Sequence, residues 1–138
     1  MPAFEFPIRV YWEDTDAGGI VFYANYLKFF ERARTEWLRT LGIAQRQLRA
    51  QTGGMFVVAE AALRYAGSAR LDDQLTVTAE LANAGRASLR LAQQAFLATP
   101  GDPRARLLCE AIIRIGWVDA ATLQPARIPE GILKRLKP

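Results

Sequence analysis

The chain has 138 residues, 51% hydrophobic and 23% charged, with a formal net charge of +4. This length predicts one domain over residues 1–138 that buries about 68% of its unfolded surface, and the composition excludes a disordered tail or a membrane protein. Histidine is absent and Cys109 is the one cysteine, which excludes Ser-His-Asp and Cys-His triads, His-ligated or Cys₄ metal sites and an intrachain disulfide. Any chemistry has to run on carboxylates, Tyr, Lys, backbone amides or a borrowed ligand.

The charge is uneven. Residues 1–103 hold 11 basic and 11 acidic side chains, whereas residues 104–138 hold 7 basic against 3 acidic. Arginine supplies 15 of the 18 basic groups, and its planar fork suits phosphate. The basic third therefore reads either as solvated surface or as a contact for a phosphate-bearing ligand. No basic run interleaves with aromatics, so a nucleic-acid partner is not expected. Met1-Pro2-Ala3-Phe4-Glu5 lacks the basic and apolar regions of a signal peptide. No apolar run approaches about 18 residues. No integral membrane association is expected, and the expected location is cytoplasmic.

In chain order, Phe4, Phe6, Ile8, Val10 and Trp12 alternate with polar or smaller residues, as a strand does. Glu13 to Gly19 reads as an acidic loop. From Tyr26 the period changes. Tyr26, Phe30, Ala33, Trp37 and Leu41 mark one face of a helix of about four turns, broadened by Leu27, Phe29 and Leu38. Asn25 suits its N-cap and Gly42 its stop, and Arg32 is spaced to pair with Glu36. Residues 44–51 add a short helix before the Gly53-Gly54 break.

The remainder is strand-like. Val57, Ala59, Ala61, Leu63 and Tyr65 form one alternating set, and Leu75, Val77, Ala79 and Leu81 a second. Leu89, Leu91, Ala95 and Leu97 form a third, and Leu107, Cys109, Ala111, Ile113, Ile115 and Trp117 a fourth. Turn signals at Leu71-Asp72-Asp73, Asn83-Ala84-Gly85 and Thr99 to Pro103 separate them. Pro129 to Pro138 forms a short tail helix with Ile132, Leu133 and Leu136 inward. One strand, a long helix, then four strands predicts an α+β fold with an antiparallel sheet on a single central helix.

Glu13-Asp14-Thr15-Asp16-Ala17-Gly18-Gly19 sets three carboxylates just ahead of a helix start. Crowded like charges raise a carboxyl pKa, and a helix N-terminus lowers it. A reactive Asp there attacks or activates water while backbone N–H groups stabilise an oxyanion. The alternative is that these acids only decorate a turn. An EF-hand reading fails because Gly18 and Asn25 occupy ligand positions, and no phosphate-binding glycine motif is present. Glu60 and Glu110 read as solvent-facing or Arg-paired, Asp72 and Asp73 as turn residues, and Cys109 as core.

The run from Arg9 through Asn25 and Tyr26 to Arg39 resembles the signature of hotdog-fold acyl-CoA thioesterases. Within them it is similar to the YbgC group, associated with the Tol-Pal system and related to 4-hydroxybenzoyl-CoA thioesterase. The likeness continues collinearly through Ala69-Arg70-Leu71-Asp72-Asp73. It implies a five-stranded antiparallel sheet wrapped around the long helix, in dimers and usually homotetramers with the site at a dimer interface. It further implies an acyl-CoA thioester hydrolase with Asp16 as the catalytic carboxylate, acting as nucleophile or as general base. The Tyr23 backbone N–H would polarise the thioester carbonyl, and Gly19, Asn25 and Tyr26 match substrate-site positions. Many members of the group carry His where this chain has Tyr23, whereas the 4-hydroxybenzoyl-CoA enzyme has Tyr. The fold's dehydratases normally rely on a His, so dehydration is disfavoured.

No metal or separate cofactor is expected, because coenzyme A is part of the substrate. Arg86 and Arg127 are candidates for its phosphates, and acyl carrier protein is a possible alternative carrier. The competing reading from another class is a non-catalytic module that binds acyl-CoA or acyl carrier protein.

Overall fold

The computed structural model describes residues 3–137. Met1 and Pro2, at the start of the segment read for a signal peptide, and Pro138, the end of the predicted tail helix, lie outside them. The elements run β1 (Phe4–Arg9), α1 (Tyr26–Thr40), α2 (Gln45–Thr52), β2 (Gly54–Tyr65), β3 (Gln74–Ala84), β4 (Ser88–Thr99), β5 (Asp102–Asp119) and α3 (Glu130–Leu136), with 3₁₀ turns at Trp12–Asp14 and Tyr23–Asn25. The strands form one antiparallel sheet in the order β1-β3-β4-β5-β2. Helix α1 packs against β1, β3 and β4. This is the predicted hotdog arrangement.

The apolar face of α1 explains the wrapping. Tyr26, Phe29, Phe30, Ala33 and Leu38 are buried against Leu75, Val77, Leu89, Leu91, Ala95 and Ile113. Each large side chain removed from water contributes about 1.5–3 kcal/mol. The polypeptide turns out of α1 at Gly42, whose φ of +79° suits glycine. The tail helix buries Ile132 and Leu136 as expected.

Four local expectations need correction. Strand β1 ends at Arg9, and Trp12 stands 80% exposed in the following 3₁₀ turn rather than extending the strand. Asn25 makes no side-chain cap; its Nδ2 donates instead to the Asp14 carbonyl at 2.9 Å, tying the helix start to the acidic loop. Glu36 pairs with Arg39, one turn on, and not with Arg32. In β2 the register shifts between Val58 and Glu60. That bulge sets Phe56 and Val58, opposite Trp117 and Ile115, on the same face as Ala61, Leu63 and Tyr65. Val57 and Ala59 leave that face, because one extra residue inverts a period of two.

A polar cross-link runs through the interior. Arg34, on α1, is buried, and its Nη1 donates to Gln93 Oε1 at 3.0 Å. Gln93 Nε2 donates to the carbonyls of Phe30 at 3.0 Å and Thr78 at 3.1 Å. The Gln94 amide turns to Thr78 Oγ1 at 2.9 Å. Side chains thus replace ladder bonds midway along β3 and β4 and fasten the helix to both strands. Burial pulls the Arg34 pKa down.

Candidate active site

The acidic loop leaves β1 and folds into a tight hairpin. Thr15 bridges Val21, the Asp16 N–H donates to the Ile20 carbonyl at 2.9 Å, and the Gly19 N–H donates to the Asp16 carbonyl at 3.0 Å. Gly19 takes φ +78°, so it closes the turn where a side chain would be strained. The loop leans on the Arg70–Asp73 segment through an Ile20–Arg70 bridge and a Leu71 N–H to Gly19 carbonyl bond.

The two aspartates of the D-x-D pair have different surroundings. Asp14 is buried; its Oδ2 accepts the Tyr11 N–H at 2.8 Å, and its carbonyl accepts the Phe22 N–H at 3.0 Å and Asn25 Nδ2. It anchors the loop from within. Asp16 is exposed and opens onto a cavity of about 380 Å³ lined by Trp12, Thr15, Asp16, Ala17, Gly19 and Leu71. Its Oδ1 accepts the Gly18 N–H at 2.8 Å, which holds the carboxylate in one orientation. A Cβ at Gly18 would lie 3.2 Å from that oxygen, so a side chain there would crowd it.

The backbone then rises into the Tyr23–Asn25 turn that starts α1. The Asn25 N–H donates to the Phe22 carbonyl at 2.8 Å. The N–H groups of Tyr23 and Ala24 find no acceptor among the described residues, as is usual for the first donors of a helix. They carry the positive end of the α1 dipole. Such donors stabilise a developing oxyanion.

Aromatic rings flank this turn. Tyr23 is 64% exposed, and its ring stands edge-on to Tyr65 with centroids 6.2 Å apart. The Tyr65 hydroxyl donates to the Tyr23 carbonyl at 2.9 Å. Partial burial and the neighbouring Cys109 and Tyr23 raise the Tyr65 pKa. Tyr26 lies in the interior, its hydroxyl accepting the Ala69 N–H at 3.0 Å; burial raises its pKa too.

The structure therefore brings Asp16, Gly19, Tyr23 and Asn25 to one end of the sheet, with Tyr26 as an internal anchor beneath them. Arg86 and Arg127 are not part of that grouping. The Ile128 N–H donates to the Arg86 carbonyl at 2.8 Å, so the two arginines are neighbours. They sit by the β3–β4 turn, at the opposite end of β3 from the Arg70–Asp73 segment on which the acidic loop leans. Glu60 and Glu110 pair with Arg90 and Arg64 on the surface. Cys109 is buried. Asp72 and Asp73 form the predicted turn, with Asp73 Oδ2 accepting the Arg70 N–H.

Sequence reading missed Tyr65 and Leu71 as members of the site. Tyr65 offers only its place in an alternating strand, and Leu71 only its place in a turn. Among the described residues, no helix is long and apolar enough to cross a membrane.

The family profile of the thioesterase-like superfamily matches residues 10–136. Over 129 residues the chain is 40% identical to an acyl-CoA thioesterase, YbgC, of Haemophilus influenzae, covering 94% of this chain and 90% of that protein. It is 39% identical over 134 residues to an acyl-CoA thioester hydrolase, YbgC, of Escherichia coli, covering 97% and 96%. Among solved structures, a probable thioesterase from Bartonella henselae superposes with a TM-score of 0.82 at 28% identity, over 93% of this chain and all of that one. A mutant 4-hydroxybenzoyl-CoA thioesterase complexed with 4-hydroxybenzoyl-CoA shares the fold, with a TM-score of 0.88 at 20% identity over 98% and 99%.

Proposed function

The chain belongs to the thioesterase-like superfamily and is an acyl-CoA thioesterase, and from that premise we propose that Asp16 is its catalytic carboxylate and the start of α1 its oxyanion site. The observation that carries this reading is the placement of an oriented, exposed Asp16 on a cavity, joined through the Asp14 contacts to a helix start with two free N–H groups. The thioester carbonyl carbon is attacked by an Asp16 oxygen, or by a water that Asp16 deprotonates. The carbonyl oxygen takes up negative charge facing the Tyr23 and Ala24 amides, and the C–S bond then breaks to release CoA thiolate. On the nucleophile route, water hydrolyses the resulting anhydride and restores Asp16. No metal or separate cofactor enters either route.

The proposal extends to assembly and setting. Edge strand β2 runs twelve residues, and most of them are exposed. It flanks a cavity of about 370 Å³ lined by Leu27, Glu31, Arg34 and Val58. Such an edge suits pairing with a second copy, which supports a homodimer that further assembles into a tetramer. Arg86 and Arg127 would then meet CoA phosphates only from another protomer. We place the enzyme in the cytoplasm with acyl-CoA as substrate, and acyl carrier protein is an alternative carrier to test.

The test is thiol release from short aliphatic, long aliphatic and aromatic acyl-CoAs, with Asp16→Asn alongside. Turnover at least a hundredfold slower in the variant is expected. Unchanged turnover would remove Asp16 from the mechanism. Binding without turnover in the wild type would make the chain a non-catalytic acyl-CoA module. A single turnover in ¹⁸O-water tests the nucleophile route, since an unlabelled product acid with the label left in Asp16 means that an Asp16 oxygen was transferred and water opened the anhydride at the Asp16 carbonyl.

A further inference from the structure

We propose that Tyr65 is a positioning residue for the oxyanion site, an inference that rests on the reading of Asp16 and the α1 start given above. The two free N–H groups belong to consecutive peptide planes. In a trans peptide the C=O and N–H point in opposite directions, so fixing a carbonyl aims the amide of the next residue. The Phe22 carbonyl is fixed by the Asn25 N–H at 2.8 Å, and this aims the Tyr23 N–H. The Tyr23 carbonyl is fixed by the Tyr65 hydroxyl at 2.9 Å, and this aims the Ala24 N–H.

The first restraint is local, made by a residue three positions along. The second arrives from 42 residues away and from a different element.

Tyr65 is well placed for the task. Its backbone is the last residue of β2 and pairs with Cys109 of β5, so it stands on the rigid sheet. Its ring is edge-packed against Tyr26 at 5.7 Å as well as Tyr23 at 6.2 Å, and Tyr26 is held by the Ala69 amide. The hydroxyl is therefore delivered in one geometry. Side-chain entropy, which opposes most exposed hydrogen bonds, is already spent on packing. Preorganised donors are effective because they need no rearrangement as charge develops. Losing the Tyr65 hydroxyl leaves the ring and its packing in place but removes the side-chain restraint on the tilt of the Tyr23–Ala24 peptide. Substrate binding is spared while transition-state stabilisation is weakened.

The experiment uses Tyr65→Phe in the full-length protein, in steady-state kinetics and in an infrared measurement. In kinetics, kcat is expected to fall about tenfold with KM changed less than twofold and the melting temperature nearly unchanged. In infrared difference spectra, benzoyl-CoA carrying a ¹³C carbonyl is bound to Asp16→Asn and to Asp16→Asn/Tyr65→Phe. The carbonyl band of the single variant should lie below its solution frequency, and the double variant should move it back towards that frequency. A purely structural Tyr65 would lower stability and leave the band in place. Unchanged kcat in Tyr65→Phe, or an unmoved band, overturns the inference while the Asp16 reading stands. Full turnover in Asp16→Asn would overturn that reading itself.

Discussion

Replacing Gln93 with Leu removes the centre of the buried cross-link while keeping close to its volume. Three hydrogen bonds are lost: one from the Arg34 guanidinium and two to the carbonyls of Phe30 and Thr78. A bond to a charged group contributes about 1.5–3 kcal/mol, and a buried polar group left without a partner costs about 1–3 kcal/mol. The Phe30 carbonyl keeps its helical partner, so its loss is small. The Thr78 carbonyl does not. The expected destabilisation is about 3–5 kcal/mol.

The companion variant Arg34→Met strands only Gln93 Oε1 and takes a poorly solvated charge out of the interior, so it costs about 1–3 kcal/mol. The double variant should cost less than the sum by about 1.5–3 kcal/mol, since the shared bond is counted twice. Urea unfolding at one protein concentration, followed by circular dichroism, measures all four corners of the cycle. Effects that add within about 0.5 kcal/mol would show that Arg34 and Gln93 are not coupled, and the reasoning would fail.

Gly54 is expected to resist even alanine, because a Cβ there would lie 2.4 Å from Trp117 Cζ2; Gly54→Ala should cost about 1–3 kcal/mol in urea unfolding, and an unaltered midpoint would contradict the packing described. Alkaline stability should be limited by Cys109, whose thiol burial pushes up to about 12 from an ordinary value near 9. The folded state holds that proton more tightly than the unfolded one, so stability is intact below about pH 9 and falls as pH rises from there towards 12. Tyr26, raised by burial, adds to the decline from about pH 10 upward. Cys109→Ala should flatten the slope between pH 9 and 12, and an identical slope in the variant would assign the decline elsewhere.

The periodicities of Tyr26 to Leu41 and of the later strands carried the fold, because both faces of those elements answer to a single core. What escaped sequence reading was set by single residues or distant contacts. The inserted Ala59 inverts the face of half of β2 without leaving a composition signal. Trp12 continues an alternation that the chain abandons at Arg9, because the Val10 N–H donates to the Asp73 carbonyl and the Val10 carbonyl accepts the Asp72 N–H, which turns the loop. The D-x-D pair was visible as two carboxylates, and the resemblance selected Asp16. Burial separates the two by a physical criterion that no spacing contains. Tyr65 was illegible for a related reason, since its partner, the Tyr23 carbonyl, is a backbone atom on another element.

The strand order has a consequence for how the molecule comes into being. The first two strands made, β1 and β2, are the outer edges of the sheet, and the three central strands come last. While the chain emerges, Phe29, Phe30 and Leu38 therefore have no surface to meet. β5, which joins β4 to β2, is the last of the five strands in chain order. Folding waits on distant pairings, which makes it slow and leaves an apolar helix open to capture. The newborn protein is a natural client for chaperones, and any truncation before Asp119 leaves the early half without a frame.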